Sequence, residues 1–173
     1  MAGLLTEDIE LRGATTITGN FYPPAGSITN SHLSSSTDDR ITAGKVIHQF
    51  PLDAELVETS TTIAATTKML HIVRGATGTL VSLEAFVVTS PTGDQVASVD
   101  LQKAASGGSF STVLSSTLDF DSVSVALTPT SATLSSTALT DGDMLRLVVT
   151  IAGSTGVMGA GLLATITMQE KPT

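Results

Sequence analysis

The chain has 173 residues, a net charge of −8 and no cysteine, which excludes disulfides, thiol catalysis, thiolate-held zinc and iron–sulfur clusters, and opposes any surface that tracks phosphates. Charged residues make up 14 %, well below the roughly 25 % of ordinary soluble proteins, and 20 Ser and 28 Thr take their place. With 41 % hydrophobic residues the chain can bury a core, and its wealth of Thr and poverty in Glu, Lys, Arg and Gln favour strands over helices.

The first residues, Met1 to Leu5, lead straight into Glu7, Asp8 and Glu10, without the basic start and apolar centre of a signal peptide, so export by that route is not expected. Residues 1–50 carry short apolar pairs between turn formers, as in Gly19-Asn20-Phe21-Tyr22-Pro23-Pro24-Ala25-Gly26 and Ser34-Ser35-Ser36-Thr37-Asp38-Asp39. Neither helical nor strand periodicity survives there, and Pro23-Pro24 imposes an extended backbone with two donors missing. The sequence therefore predicts an extended N-terminal arm over 1–50 and a head domain over 51–173. Ordering fifty residues costs about 50 kcal/mol at about 1 kcal/mol each, so such an arm needs a partner surface, roughly 2,000 Å² of apolar burial at about 25 cal/mol per Å².

Val46 to Phe50 has the pattern of a short strand. The segment 53–69 is ambiguous: Ala54, Leu56, Val57, Ala64 and Ala65 would support a helical turn or two, but its Thr and Ser favour a loop or an irregular edge. From about residue 67 the pattern alternates with a period of two. Over 69–74, Leu70 and Ile72 share one face and Met69, His71 and Val73 the other. Over 80–89 both faces carry apolar groups, as in a strand between two layers. Over 95–103, Ala97, Val99 and Leu101 face in; over 109–118 a further strand places Phe110, Thr112, Leu114, Ser116 and Leu118 on one face. Short strands are expected near 123–127 and 132–134. Leu145, Leu147, Val149 and Ile151 form one face of 144–151, and Leu162, Ala164, Ile166 and Met168 one face of 162–168. Turn formers separate these runs at close spacing. Eight or nine short strands of this kind predict an all-β fold, an antiparallel β-sandwich of jelly-roll type. The apolar runs 145–151 and 157–164 are too short for the roughly 20 residues that cross a bilayer, so no membrane partner is expected.

Candidate chemistry is sparse. His32, His48 and His71 are too widely spaced for a metal helix or a compact ligand cluster; His71 reads as a strand residue and the other two as arm residues. Asp119/Asp121 and Asp141/Asp143 offer oxygen ligands in principle, but the first pair sits at a strand end and the second in a tight turn where Asp bonds local amides, so turn chemistry is the expected role. The glycine-rich run 153–161 lacks the Lys-Ser/Thr of a phosphate loop and reads as a hairpin connection. No cofactor, no metal and no enzymatic activity are expected. Sugar-binding sandwiches stack glycans on Trp or Tyr, whereas this chain has no Trp and one Tyr, with Phe86, Phe110 and Phe120 assigned to the core.

The phrases at 13–30 (Gly-Ala-Thr-Thr-Ile-Thr-Gly-Asn-Phe-Tyr-Pro-Pro-Ala-Gly-Ser-Ile-Thr-Asn) and 41–50 (Ile-Thr-Ala-Gly-Lys-Val-Ile-His-Gln-Phe) resemble the N-terminal region of tailed-bacteriophage capsid decoration proteins, also called cement or head-fibre proteins. Runs at 71–79, 98–103 and 136–150 are similar in wording and order; 53–66 falls outside the resemblance. It implies a virion protein on the outer capsid surface, a β-sandwich that is often a homotrimer, with the major capsid protein as partner and no nucleic acid. On that basis Phe21, Tyr22, Pro23, Pro24, Ile28 and Leu33, the bulky and conformationally restricted arm residues, are the candidate capsid anchors. The alternative is a receptor- or glycan-binding module of a phage fibre or bacterial surface, with the arm as its anchor.

Overall fold

The computed structural model describes residues 47–172. These form ten strands and, among the described residues, no helix: β1 His48–Thr62, β2 Thr66–Ile72, β3 Ala76–Thr89, β4 Val96–Ala104, β5 Ser111–Thr112, β6 Leu118–Phe120, β7 Thr130–Ser131, β8 Ala138–Leu139, β9 Met144–Ala152 and β10 Ala160–Pro172.

All pairings are antiparallel and fall into two sheets. One runs β1-β10-β3, with β7 and β8 both on the outer edge of β3; the other runs β2-β9-β4, with β5 and β6 both on β4. Because β5 and β6 occupy one strand position, and β7 and β8 another, the molecule reduces to eight positions in the orders 1-8-3-6 and 2-7-4-5. That is jelly-roll topology, and the expected all-β sandwich is the observed fold.

The core lies between the sheets. β4 contributes Ala97, Val99 and Leu101, β9 contributes Leu145, Leu147 and Val149, and β10 contributes Leu162, Ala164, Ile166 and Met168, all buried as their alternation predicts. Ile151 breaks ranks, at 47 % exposure where β9 outruns the core.

Other expectations need correction. β3 carries apolar groups on both faces, with Phe86 and Val88 opposite buried Leu83, Ala85 and Val87, but its outer face is partly exposed and not covered by a second layer. Thr167 pairs with Ser82 and Met168 with Leu80, leaving Val81 as a bulge; the extra residue flips the phase, so Leu80 and Leu83 both point inward while Val81 is exposed. Over 53–69 the helical turn does not form and the irregular edge favoured by its Thr and Ser does, because β1 continues to Thr62 and β2 begins at Thr66. The register of this edge shifts between Glu55 and Val57 and between Val57 and Thr62. The strand expected over 109–118 breaks into β5, a single bridge from Leu114 to Leu134, and β6. No strand forms at 123–127. Of the three phenylalanines assigned to the core, only Phe120 is buried; Phe86 and Phe110 are half-exposed.

The β1/β2 edge closes with polar groups. Lys68 Nζ donates to the Glu55 carbonyl (2.7 Å), next to the β1 bulge, and His71 Nε2 meets Glu170 Oε1 at 2.8 Å beside the Phe50 ring. Each contact joins one sheet to the other across the mouth of the sandwich.

Candidate interaction surface

Antiparallel topology decides which loops share an end. β1, β3 and β9 finish, and β2, β4 and β10 start, at the same end, so this end gathers the connections 63–65, 90–95, 121–129 and 153–159. Residue 47 and the last turns of β10 lie at the opposite end with 73–75, 105–110 and 140–143.

The loop end is built from uncharged sequence. Residues 59–67, 85–93, 122–140 and 147–169 contain no Asp, Glu, Lys or Arg, and each includes one of the converging loops or most of it. The charged groups there are carboxylates already engaged. Asp94 accepts from the amides of Ser154 (2.9 Å) and Thr155 (2.6 Å) and from Ser154 Oγ (3.1 Å). These bonds, the Thr155 and Ser154 amides foremost, hold its pKa down at about 2 against the tendency of burial to raise it. Asp121 Oδ1 accepts from the Val123 amide (3.0 Å) and from Ser124 Oγ (3.2 Å), and the Asp121 amide donates to Ser124 Oγ (2.9 Å). Glycine is needed at the crossing: Gly153 and Gly156 have φ of 108° and 95°, and a Cβ on Gly156 would sit 2.1 Å from the Thr92 carbonyl oxygen.

The run 153–161 is therefore a crossover between sheets and not a hairpin, since β9 and β10 belong to different sheets. The other acid pair also builds turns: Asp141 Oδ1 accepts from the Gly75 amide (2.8 Å), and buried Asp143 accepts from the Thr140 amide (2.9 Å) with Lys103 Nζ at 3.5 Å. Thr117 Oγ1 donates to Asp119 (2.8 Å). Among the described residues no group of three potential ligands converges on a metal position. His48 opens β1 and is exposed; His71 lies on β2 as expected. The anchors Phe21, Tyr22, Pro23, Pro24, Ile28 and Leu33, and also His32, lie outside the described residues.

Among the Ser, Thr and Gly of the loop end four large aliphatic side chains are exposed, Val123, Val125, Leu127 and Val157, with Ile151 at its margin. Sequence reading missed this surface because it assigned 123–127 to a strand. The available signal was the absence of charge from 122 to 140. On the outer face of β4 and β9 a polar chain runs from Phe110, stacked 3.9 Å from the Arg146 guanidinium, through Arg146 Nε to Gln102 Oε1 (2.9 Å) and Gln102 Nε2 to Asp100 Oδ2 (2.8 Å).

The fold is a jelly-roll sandwich with one end built from uncharged loops. No family model matches the chain, and no curated protein matches it. Among solved structures it is similar to a chain described as "Structure of infectious bursal disease virus Gt strain", at 11 % identity and a TM-score of 0.31, covering 91 % of this chain and 41 % of that one. The chain thus spans less than half the length of that neighbour, and no role follows from a likeness of this size.

Proposed function

We propose that the protein is a structural component of a virus particle, and within that class a decoration subunit that binds the outer surface of a tailed-phage capsid and stabilises it. The residues ahead of β1 attach it to the major capsid protein, His48–Phe50 of the expected arm belonging to the sandwich instead, and the sandwich self-associates as a homotrimer that projects outward. The role is mechanical: subunits that bridge neighbouring capsomers raise the cost of separating them, and no substrate is turned over.

The observation that supports this best is the polarity of the head. The chain enters at one end of the sandwich, at Ile47, and the uncharged loop end lies at the other, as suits a module anchored from one side. The jelly roll is a fold of viral capsid and lectin domains alike, so the fold alone does not choose. The resemblance of 13–30 and 41–50 to decoration proteins favours the capsid. Against a glycan site, half-exposed Phe110 is already covered on one face by Arg146.

The test is co-sedimentation with undecorated tailed-phage capsids, followed by heating of the loaded and bare particles. Saturable binding and a higher disruption temperature are expected. Absence of binding, together with adsorption of the free protein to host cells, would replace this function with the receptor-binding one.

A further inference from the structure

Exposed aliphatic side chains are scattered over the described residues, but one loop gathers three of them: Val123, Val125 and Leu127, at 84 %, 69 % and 66 % exposure. The loop is held in place. Besides the Asp121 bonds at its start, Ser90 Oγ donates to the Ser124 carbonyl (2.8 Å), and the Leu127 amide donates to the Val87 carbonyl (2.8 Å), tying the loop to the edge of β3 away from β10. Leu127 is the one non-glycine among the described residues with a positive φ, 58°, a conformation that crowds Cβ against the backbone. Hydrogen bonds and local strain thus hold aliphatic side chains out in water, and soluble monomers seldom expose contiguous patches of this kind.

The geometry points to the 121–128 loop as the self-association surface, covered by the same loop of further copies of this chain arranged about an axis roughly parallel to the strands. Charge selects that occupant. Copies that each carry −8 repel one another, and the repulsion is least where they meet through 122–130, which holds no charged residue; further along the same edge Glu84 accepts from Ser131 Oγ (3.2 Å) and Lys103 Nζ donates to the Ala138 carbonyl (2.8 Å). The opposite edge would bring together Asp53, Glu55 and Glu58, and there Lys68 already caps the Glu55 carbonyl. An anionic lipid surface would meet neither Lys nor Arg in the loops of this end, and a basic partner would meet carboxylates already bonded to Val123, Ser154 and Thr155. Rotation about such an axis also leaves residue 47 of every copy facing the same way. The inference deepens the self-association proposed above and is independent of the capsid role.

The test is light scattering of the full chain at micromolar concentration, with circular dichroism as the check on folding. The wild type is expected at a multiple of the monomer mass, and Val123→Asp/Val125→Asp at the monomer mass, with association weakened at least tenfold and the melting curve unchanged. Leu127→Gly accepts the positive φ, so it is expected to fold at least as well as wild type while associating more weakly. Val157→Asp, on the neighbouring loop, is expected to leave the mass unchanged. A wild-type multimer indifferent to both the 123/125 and the 127 changes overturns the surface alone, as does dissociation by Val157→Asp to the same extent. A monomeric wild type overturns the surface and the self-association together. Loss of binding to cells or vesicles in the 123/125 variant, with its mass unchanged, assigns the loop to another partner and also overturns the inference.

Discussion

At the scale of single residues, the loop end depends on short-range hydrogen bonding to carboxylates. Asp94 joins the 90–95 and 153–159 loops through two amides and a hydroxyl, and its pKa falls from 3.8 to about 2. The unfolded chain therefore binds that proton more readily than the folded one. The stability linked to Asp94 is fully present above about pH 4 and disappears as pH falls through 2. Asp94→Asn should consequently lower the melting temperature at pH 7, with the deficit shrinking towards nothing near pH 2; an equal deficit at both pH values in thermal unfolding would contradict this. Gly156 is the second sensitive point. With φ at 95° and the Thr92 carbonyl oxygen 2.1 Å from a built Cβ, Gly156→Ala should cost more than about 1 kcal/mol in urea unfolding, since it adds both strain and a clash.

At the scale of elements, bulges shape this sandwich and are the feature that alternation cannot reveal. The β3 bulge at Val81 lets Leu80 and Leu83 enter the same core, so deleting Val81 should force Leu80 or its neighbours outward. Exposing one leucine costs about 1.5–3 kcal/mol, to be read as a lower urea midpoint with an unchanged slope. β2 has its own shift between Met69 and His71, which explains why Met69 and Ile72 are both exposed despite opposite parity. Within the uninterrupted ladder, Ile166 is fully buried between the sheets, and Ile166→Ala should cost about 2–5 kcal/mol. The β1/β2 edge will be more forgiving: the His71–Glu170 contact is partly exposed, and exposed pairs of that kind contribute about 0–1 kcal/mol.

At the scale of the whole molecule, the head carries its own core, so removing 1–46 should leave β1 intact from His48. The truncated protein should fold, keep its oligomeric mass, and fail to co-sediment with capsids. Retention at full occupancy would take attachment away from 1–46, and collapse to monomers would make that segment a clasp between subunits. Because Phe21, Tyr22, Ile28 and Leu33 are uncharged, binding by the full chain should survive about 0.5 M salt, where surface ion pairs are screened within a few ångströms; complete release under those conditions would show that charge carries the contact.

The sequence by itself determined the fold class and most inward faces, because alternation is a local property wherever the ladder is regular: 97/99/101, 145/147/149 and 162/164/166/168 needed no tertiary information. It also supplied the uncharged runs that later became the loop end. What it lacked was anything that depends on a partner strand. The phase of β3 is set by the pairing of Leu80 with Met168 across the bulge, and the extension of β1 through Thr-rich sequence is set by β10 beside it. The loop at 123–127 alternates Val, Val and Leu like a strand, but the amide of Leu127 takes the Val87 carbonyl in a left-handed turn, and no ladder continues. Only the tertiary structure brought four uncharged segments, separated by tens of residues, to one end and left the chain's entry at the other. The physical reason is that antiparallel pairing reverses direction at every connection, so a segment's end of the sandwich follows from the order of pairing and not from its own composition.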